Sequence, residues 1–367
     1  MQILLLLTDL FDEVGGIQTF NRCFVKALSD ISIKKNTNIK IKILVLNDSG
    51  ISSLASRYIM SKNIEYIFFA KNKFRFTASV LKESLVSNKI IFGHINFSPL
   101  LLIINMFNYT SEKMLIVHGT EVWKKVAYLK SCAIKKIEKI LSVSAYTKEQ
   151  MKIYNKTPEY KFIVFPNTLD PFYPAEPSVD EKVILPKGKI ILSVTRLHPE
   201  EHYKNIDLVI KVLPEVLKSI PDTNYVIVGE GADRLRLELL AKELGVKNNV
   251  IFTGYVSENM LPLYYESSNV FILPSTGEGF GIVFLEAMYY SKPCIGANAG
   301  GIPEVIENRK TGFLVNPNDI SSLSESIINL LKDNDLCYSM GKTGKERFER
   351  KFSFERFKER LENILCL

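Results

Sequence analysis

From Pro274 to Met288 the chain reads Pro-Ser-Thr-Gly-Glu-Gly-Phe-Gly-Ile-Val-Phe-Leu-Glu-Ala-Met, with Gly277, Gly279 and Gly281 closely flanking or following Glu278, and with Glu286 further along. An apolar run ends, a glycine-rich turn follows and a helix is expected to begin near Gly281. The amide N–H groups at such a helix start have no intrahelical acceptor, and the helix dipole makes that end positive. A diphosphate or a sugar hydroxyl is the kind of group held there. The glycines let a ligand approach the backbone, Glu278 projects at the helix mouth, and Glu286 sits about two turns beyond it, where it could accept from ribose hydroxyls.

A second cluster is Ser193-Val194-Thr195-Arg196-Leu197 followed by Lys204-Asn205. An apolar run there delivers an arginine at its C-terminal end and a lysine just before the next helix. A guanidinium and an ammonium beside a glycine-rich helix start would form a metal-free diphosphate clamp, stabilising negative charge as it develops on a leaving group. The plainer alternatives are a tight turn at Gly277–Gly281 with solvated carboxylates, and structural ion pairs for Arg196 and Lys204.

These residues need elements to position them. Short apolar runs alternate with amphipathic stretches along the whole chain, as in βα units with parallel sheets. In the first half strands are expected at Gln2–Leu7, Lys40–Leu46, Ile64–Phe69, Lys89–Phe92, Lys113–Val117, Lys139–Val143 and Phe162–Phe165. Ile17, Phe20, Phe24 and Leu28 form one helical stripe between the first two. Between Thr168 and Gly188 the pattern gives way to Pro171, Pro174, Pro177 and Pro186 among polar residues, as in a linker. It then resumes with strands at Lys189–Val194, Tyr225–Val228, Val250–Phe252, Val270–Leu273, Pro293–Gly296 and Gly312–Val315. The expectation is α/β: two doubly wound parallel-sheet domains, 1–170 and 171–350, with 351–367 a closing helix packed back on the first. In such sheets ligands collect at the C-terminal strand ends, so two facing domains would enclose a cleft.

With the elements in place, the motifs resemble glycosyltransferase family 4 (group 1), retaining enzymes of GT-B fold with two facing Rossmann-like domains. The resemblance rests on Glu278-Gly-Phe-Gly…Glu286, an E-x7-E motif, with Arg196, Lys204, Gly229-Glu230-Gly231, Phe252-Thr253-Gly254-Tyr255-Val256 and Gly300-Gly301-Ile302-Pro303-Glu304. It runs end to end and is densest from Lys189 to about Val315. It implies that Glu278 contacts donor-sugar hydroxyls and that backbone amides from Gly279, Phe280, Gly281, Ile282 and Val283 hold the sugar and β-phosphate. It further implies that Glu286 takes the ribose, that Arg196 and Lys204 bind the diphosphate, and that backbone near Val256 meets the base.

In the first half, Gly15-Gly16 follows the first strand and opens a helix, where members of the family bring backbone close to donor phosphate or acceptor; a plain tight turn is the alternative. His118, in His118-Gly119-Thr120-Glu121 at a later strand end, matches the histidine that reaches the transferred sugar, although a strand-end histidine bonded to backbone is also possible. Ser144 and Thr147 match a serine-containing turn and are read as helix caps. Two departures leave loop geometry open: Asn205 stands where glycine commonly follows the lysine, and Pro166-Asn167-Thr168-Leu169-Asp170 replaces an Asn-Gly-Val-Asp turn.

The implied activity is transfer of a hexose from a nucleoside-diphosphate sugar, UDP-glucose first and GDP-mannose second, to a saccharide or lipid-linked acceptor in polysaccharide or glycoconjugate biosynthesis. The domains would close over the donor, and a front-face reaction would retain configuration. No cofactor or metal is expected. Rival readings are a nucleotide-sugar epimerase of the same fold and a non-catalytic nucleotide-sugar binder. A Rossmann oxidoreductase is disfavoured because neither half offers Gly-x-Gly-x-x-Gly after its first strand.

Charge and cysteines set the surroundings. The net charge of +7 is uneven: residues 1–170 hold 24 Lys+Arg against 13 Asp+Glu, and the remainder 23 against 27. The basic excess gathers at Lys124, Lys125, Lys130, Lys135, Lys136 and Lys139, which could face anionic lipid, an acidic acceptor or only solvent. With few interleaved aromatics and no nucleic-acid motif, nucleic acid is not an expected partner. Five scattered cysteines without Cys-x-x-Cys suggest neither disulfides nor zinc and fit a reducing cytoplasm. The initial apolar run lacks a basic flank and a cleavage site and reads as a buried strand. Pro99–Phe107 is far shorter than the ~20 residues of a membrane span, so the expected location is cytoplasmic, with peripheral contact at the inner membrane face as an option. Two tempting strings are set aside: His198-Pro-Glu-Glu-His202 lacks the helix a zinc pair requires, and Asp333-Asn334-Asp335 falls between two helices.

Overall fold

The computed structural model describes residues 1–34, 39–50, 55–174 and 185–366. The chain divides into two compact units, Met1–Pro171 with Phe352–Leu367, and Phe172–Lys351. Part of the proline-bearing stretch, residues 175–184 with Pro177, lies outside the described residues.

The first unit carries strands β1 (Gln2–Leu7), β2 (Lys40–Val45), β3 (Ile64–Phe68), β4 (Lys89–Phe92), β5 (Glu112–Val117), β6 (Lys139–Ser142) and β7 (Phe162–Val164). The second carries β8 (Lys189–Val194), β9 (Thr223–Val228), β10 (Val250–Gly254), β11 (Val270–Leu273), β12 (Cys294–Ala297) and β13 (Gly312–Val315). All ladder pairs are parallel. Helices therefore cover both faces, which is why strands such as Ile3–Leu7 are apolar without alternation and fully buried. Pro293 falls outside β12. It has no N–H to give the ladder, but its carbonyl accepts from the Phe271 N–H.

The sheet orders are β3-β2-β1-β4-β5-β6-β7 and β10-β9-β8-β11-β12-β13. Each reverses direction once, between β1 and β4 and between β8 and β11. At such a switch point the loops leaving two neighbouring strands diverge to opposite faces and leave a crevice at the C-terminal strand ends. The Arg196–Lys204 segment leaves β8 and the Glu278–Gly281 segment leaves β11, so strand order alone brings the two charged motifs side by side.

The final helix, Phe354–Leu365, belongs to the first unit. Its Phe357 ring sits 5.7 Å from Phe20, 6.5 Å from Phe24 and 4.4 Å from Phe165. Helix Gly16–Lys34 is thus covered by the sheet on one side and by this helix on the other, and even its Arg22 and Lys26 are buried. Arg22 is paired with Asp170 at 3.2 Å, and the Tyr58 hydroxyl donates to the same carboxylate at 2.6 Å. Those bonds anchor the Pro166–Asp170 turn. Among the described residues no helix is long and apolar enough to cross a membrane.

Candidate active site

In the second unit the site is built on backbone close approaches that only glycine permits. A Cβ on Gly300 (φ +61°) would meet the Glu278 carbonyl oxygen at 2.5 Å, and one on Gly301 would meet the Gly279 carbonyl oxygen at 2.3 Å. The Gly301 N–H donates to the Glu278 carbonyl at 2.8 Å. The Gly300-Gly301 turn therefore backs the glycine-rich loop and uses up one of its carbonyls. On another side the loop lies against Tyr203, whose ring atom would sit 2.5 Å from a Cβ on Gly277, while the Tyr203 carbonyl accepts from the Thr276 N–H at 2.8 Å. Gly281 (φ +94°) then caps helix Ile282–Tyr289, and the first-turn amides of that helix have no intrahelical acceptors.

At the mouth of this loop the Lys204 Nζ lies 3.2 Å from Glu278 Oε1, both side chains being largely buried. The lysine is held there by Asn205, which adopts the left-handed conformation (φ 56°, ψ 35°) and donates through Nδ2 to the Pro274 carbonyl at 2.8 Å. Asparagine is the non-glycine residue that tolerates this conformation best. The departure from the usual glycine thus preserves the turn and adds a tie to the strand end of β11.

Arg196 is placed differently. Its guanidinium is 71% exposed and paired with Glu201, whose other oxygen, Oε2, is buried without a hydrogen-bond partner among the described residues. The arginine stands at the C-terminal end of β8, yet its partner here is a carboxylate of its own loop and not Glu278. The burial of Tyr203, with the charges of Glu201 and Glu278, pushes its phenol up to about 12, so it stays neutral beside the lysine.

Glu286, further along helix Ile282–Tyr289, is only partly exposed. Its Oε2 accepts from the buried Tyr265 hydroxyl at 2.6 Å. Burial lifts its carboxyl from the usual 4.5 to about 7, the Tyr265 bond opposing and the charge of Glu258 adding to the rise. Because the folded-state value lies above that of the unfolded chain, the folded protein keeps a proton that the unfolded chain releases in this window. The associated stability is complete below the usual carboxyl value and is lost as pH rises through about 7. We expect Glu286→Gln to remove that slope in thermal denaturation of the donor-free protein. The variant should melt above the wild type at about pH 8 and close to it at about pH 5; an equal offset at both would show that the carboxylate is not desolvated.

Val256, half-buried, follows β10 beside the exposed Tyr255. Gly229 and Gly231 press against the carbonyls of Thr195 and Leu197, where a Cβ would come within 1.8 and 2.0 Å, so this turn fixes the backbone that carries Arg196.

In the first unit the loop after β1 is braced by Asp48, which accepts from the Leu10 and Phe11 N–H groups at 3.1 and 2.7 Å. Gly15 and Gly16 follow that loop, Gly16 opening helix Gly16–Lys34. His118 stands at the end of β5, and its Nε2 lies 2.9 Å from the Gly93 carbonyl at the end of β4. A carbonyl only accepts, so Nε2 carries the hydrogen and Nδ1 keeps its lone pair. His94 stacks beside it, with centroids 6.2 Å apart and planes 18° apart. Burial holds both imidazoles below their usual value; for His94, burial followed by the charge of His118 brings it down to about 4. Ser144 caps helix Ala145–Asn155 by accepting from the Thr147 N–H.

The discounted strings resolve into structural roles. Residues Pro199–Lys204 form a short 3-10 helix where a loop is expected. His198 caps it by accepting from the Glu200 N–H, while His202 lies 3.5 Å from Asp233. Asp333 ends helix Ile320–Lys332 and accepts from the Leu336 N–H. Among the described residues no group of three or more His, Cys, Asp or Glu could hold a metal ion.

Residues 176–347 match the family model for Glycosyl transferases group 1. The second unit is a group 1 glycosyl transferase domain. A relative from Corynebacterium glutamicum, a GDP-mannose-dependent monoacylated alpha-(1-6)-phosphatidylinositol monomannoside mannosyltransferase, is 27% identical over 99% of this chain and 97% of its own. A GDP-mannose-dependent alpha-(1-6)-phosphatidylinositol monomannoside mannosyltransferase of Mycobacterium tuberculosis is 27% identical over 70% of this chain and 69% of its own. Among solved structures, HepE of Anabaena in complex with UDP superposes over the full length of both chains with a TM-score of 0.79 at 16% identity. The two parallel-sheet units are those of the GT-B fold.

Within this group 1 glycosyl transferase domain, the structure joins Lys204 to Glu278 and sets both at the glycine-rich helix start. It leaves Arg196 on Glu201 and Glu286 on Tyr265. Sequence reading missed Tyr203, Glu201, Tyr265 and His94. Tyr203 and Glu201 lie within the Arg196–Lys204 segment and could have been found there. Nothing local marks Tyr265, which meets Glu286 from a different helix.

Proposed function

We propose that this chain is a retaining hexosyltransferase whose second unit holds a nucleoside-diphosphate sugar without metal. The observation that carries the reading is the Lys204–Glu278 pair at the amino end of helix Ile282–Tyr289, located at the switch point of the second sheet. A diphosphate would take the lysine and the helix amides, and Glu278 would turn to hydroxyls of the sugar. As the glycosidic bond to phosphate breaks, charge grows on the leaving oxygen beside groups already oriented to receive it. Arg196 is exposed and its ion-pair partner is Glu201 of its own loop, so it can swing from that carboxylate to the diphosphate. His118 keeps the role of the histidine directed at the transferred sugar. A donor phosphate oxygen would accept the acceptor proton in a front-face reaction, retaining configuration.

For the donor, the curated relatives above put GDP-mannose ahead of UDP-glucose, reversing the order expected from sequence alone. For the acceptor, the same relatives favour a lipid-linked glycoside over a free saccharide. A thermal-shift series with GDP-mannose, UDP-glucose and the free diphosphates tests the donor, since a ligand of the folded state raises Tm with occupancy. NMR of the product tests the stereochemistry. An inverted anomeric centre would overturn the retaining mechanism, and no shift with any nucleotide sugar would overturn the site.

A further inference from the structure

One face of the first unit combines exposed apolar side chains with an acid-free run of cations. Helix Lys73–Ser84 begins at the C-terminal end of β3, and there Phe74 is 91% exposed between Lys71, Lys73 and Arg75, all exposed. Helix Tyr128–Ile134 begins beyond the C-terminal end of β5, and there Tyr128 is 80% and Leu129 58% exposed, following the exposed Lys124 and Lys125. The short 3-10 turn Ile95–Phe97, which leaves the end of β4, joins the two. Phe97 packs on Phe76 at 5.1 Å, and Asn96 accepts from the Lys130 Nζ at 2.6 Å. These three segments thus form one rim, on the side of the sheet where the helices bury Phe76, Leu101, Ile104, Ala133 and Ile134 in a common core.

Charge along this rim is one-sided. Between Tyr66 and Ser111 the acidic residue is Glu83, and it is engaged by Lys42 at 3.1 Å; from Val122 to Ile137 there is none. A merely solvated lysine surface has no need of a phenyl, a phenol and a leucine held in water. Exposed aromatic and aliphatic side chains interleaved with cations match the boundary between anionic headgroups and acyl chains.

We propose that this rim, formed by Phe74, Tyr128 and Leu129 with Lys73, Arg75, Lys124 and Lys125, docks the first unit onto an anionic lipid bilayer. The cations meet the headgroups and the three apolar side chains enter the acyl boundary. The rim adjoins the strand ends that carry His94 and His118, so docking brings that histidine pair close to the bilayer surface, where a lipid-linked acceptor would lie. The docking itself stands on the rim alone and is independent of the donor chemistry.

Co-sedimentation with vesicles tests it. The full chain should partition onto vesicles of phosphatidylcholine and phosphatidylglycerol in equal parts at least about tenfold better than onto phosphatidylcholine alone, and about 0.5 M salt should remove most of the difference. Phe74→Ser with Tyr128→Ser and Leu129→Ser should lower partition about tenfold. Lys73→Glu with Arg75→Glu, Lys124→Glu and Lys125→Glu should abolish the preference for anionic vesicles. All seven positions lie outside the glycine-rich site, so nucleotide-sugar thermal shifts should be unchanged and report folding and donor binding separately. Equal binding to both vesicle types, or serine and glutamate variants that partition like the wild type, would overturn the proposal. So would a concentration-dependent dimer in sedimentation analysis that the serine variant dissolves, since the rim would then be covered by a second copy.

Discussion

Glu278→Ala is expected to lower kcat by roughly a hundredfold to a thousandfold with a smaller change in donor KM, the scale of removing one preorganised polar group that acts mainly in the transition state. The carboxylate sits at the mouth of a loop whose backbone is fixed by the Gly301 N–H on its own carbonyl and by the Tyr203 ring under Gly277. Its truncation should therefore leave the loop in place. It also releases Lys204, which then has no carboxylate at 3.2 Å to compete with phosphate. Donor affinity should accordingly hold or tighten while turnover collapses. Steady-state kinetics with isothermal titration of the donor diphosphate separates the two effects. A variant with near-normal kcat would remove Glu278 from the chemistry.

The reverse split is expected for Lys204→Ala. Truncating one member of a desolvated, hydrogen-bonded charge pair typically costs about 2–5 kcal/mol in binding when the other group meets the ligand, which corresponds to roughly thirtyfold or more in donor Kd. Here the loss has two parts. The diphosphate loses a cation, and Glu278 is left largely buried without its partner, which should also lower the Tm of the donor-free protein. The double variant Lys204→Ala with Glu278→Ala separates them, because it should recover the Tm but not the donor affinity. If Lys204→Ala binds donor diphosphate as tightly as the wild type, the ammonium does not meet phosphate. The charge would then have to be carried by Arg196 and the helix amides alone.

These two experiments rest on a contact that no local reading of the chain reveals. The strand runs, the glycine turns and the helix starts are legible in sequence because each depends on side chains and backbone preferences within a few residues. Ile3–Leu7 announces a strand buried on both faces by its unbroken apolar character, and Ser144 announces a helix start by the hydroxyl that reaches the Thr147 N–H. The turn at Asn205 was left open by the sequence, and the structure resolves it: asparagine takes the αL conformation there and ties its Nδ2 to the Pro274 carbonyl.

Partner choice is another matter. Lys204 and Glu278 lie 74 residues apart and Tyr265 and Glu286 21 apart. Whether they meet depends on the order β9-β8-β11-β12 and on which face each helix covers. Even Arg196 and Glu201, close in sequence, were not recognisable as partners. The loop between them can direct the guanidinium toward several acceptors, and the Gly229–Gly231 turn packed against it fixes the backbone from which the arginine projects. Composition and spacing determined by themselves that this chain makes two doubly wound α/β units with a glycine-rich helix start and nearby cations. Only the tertiary structure decided which charges face one another, because strand order and helix packing are settled by burial summed over the whole chain, and no short segment holds that information.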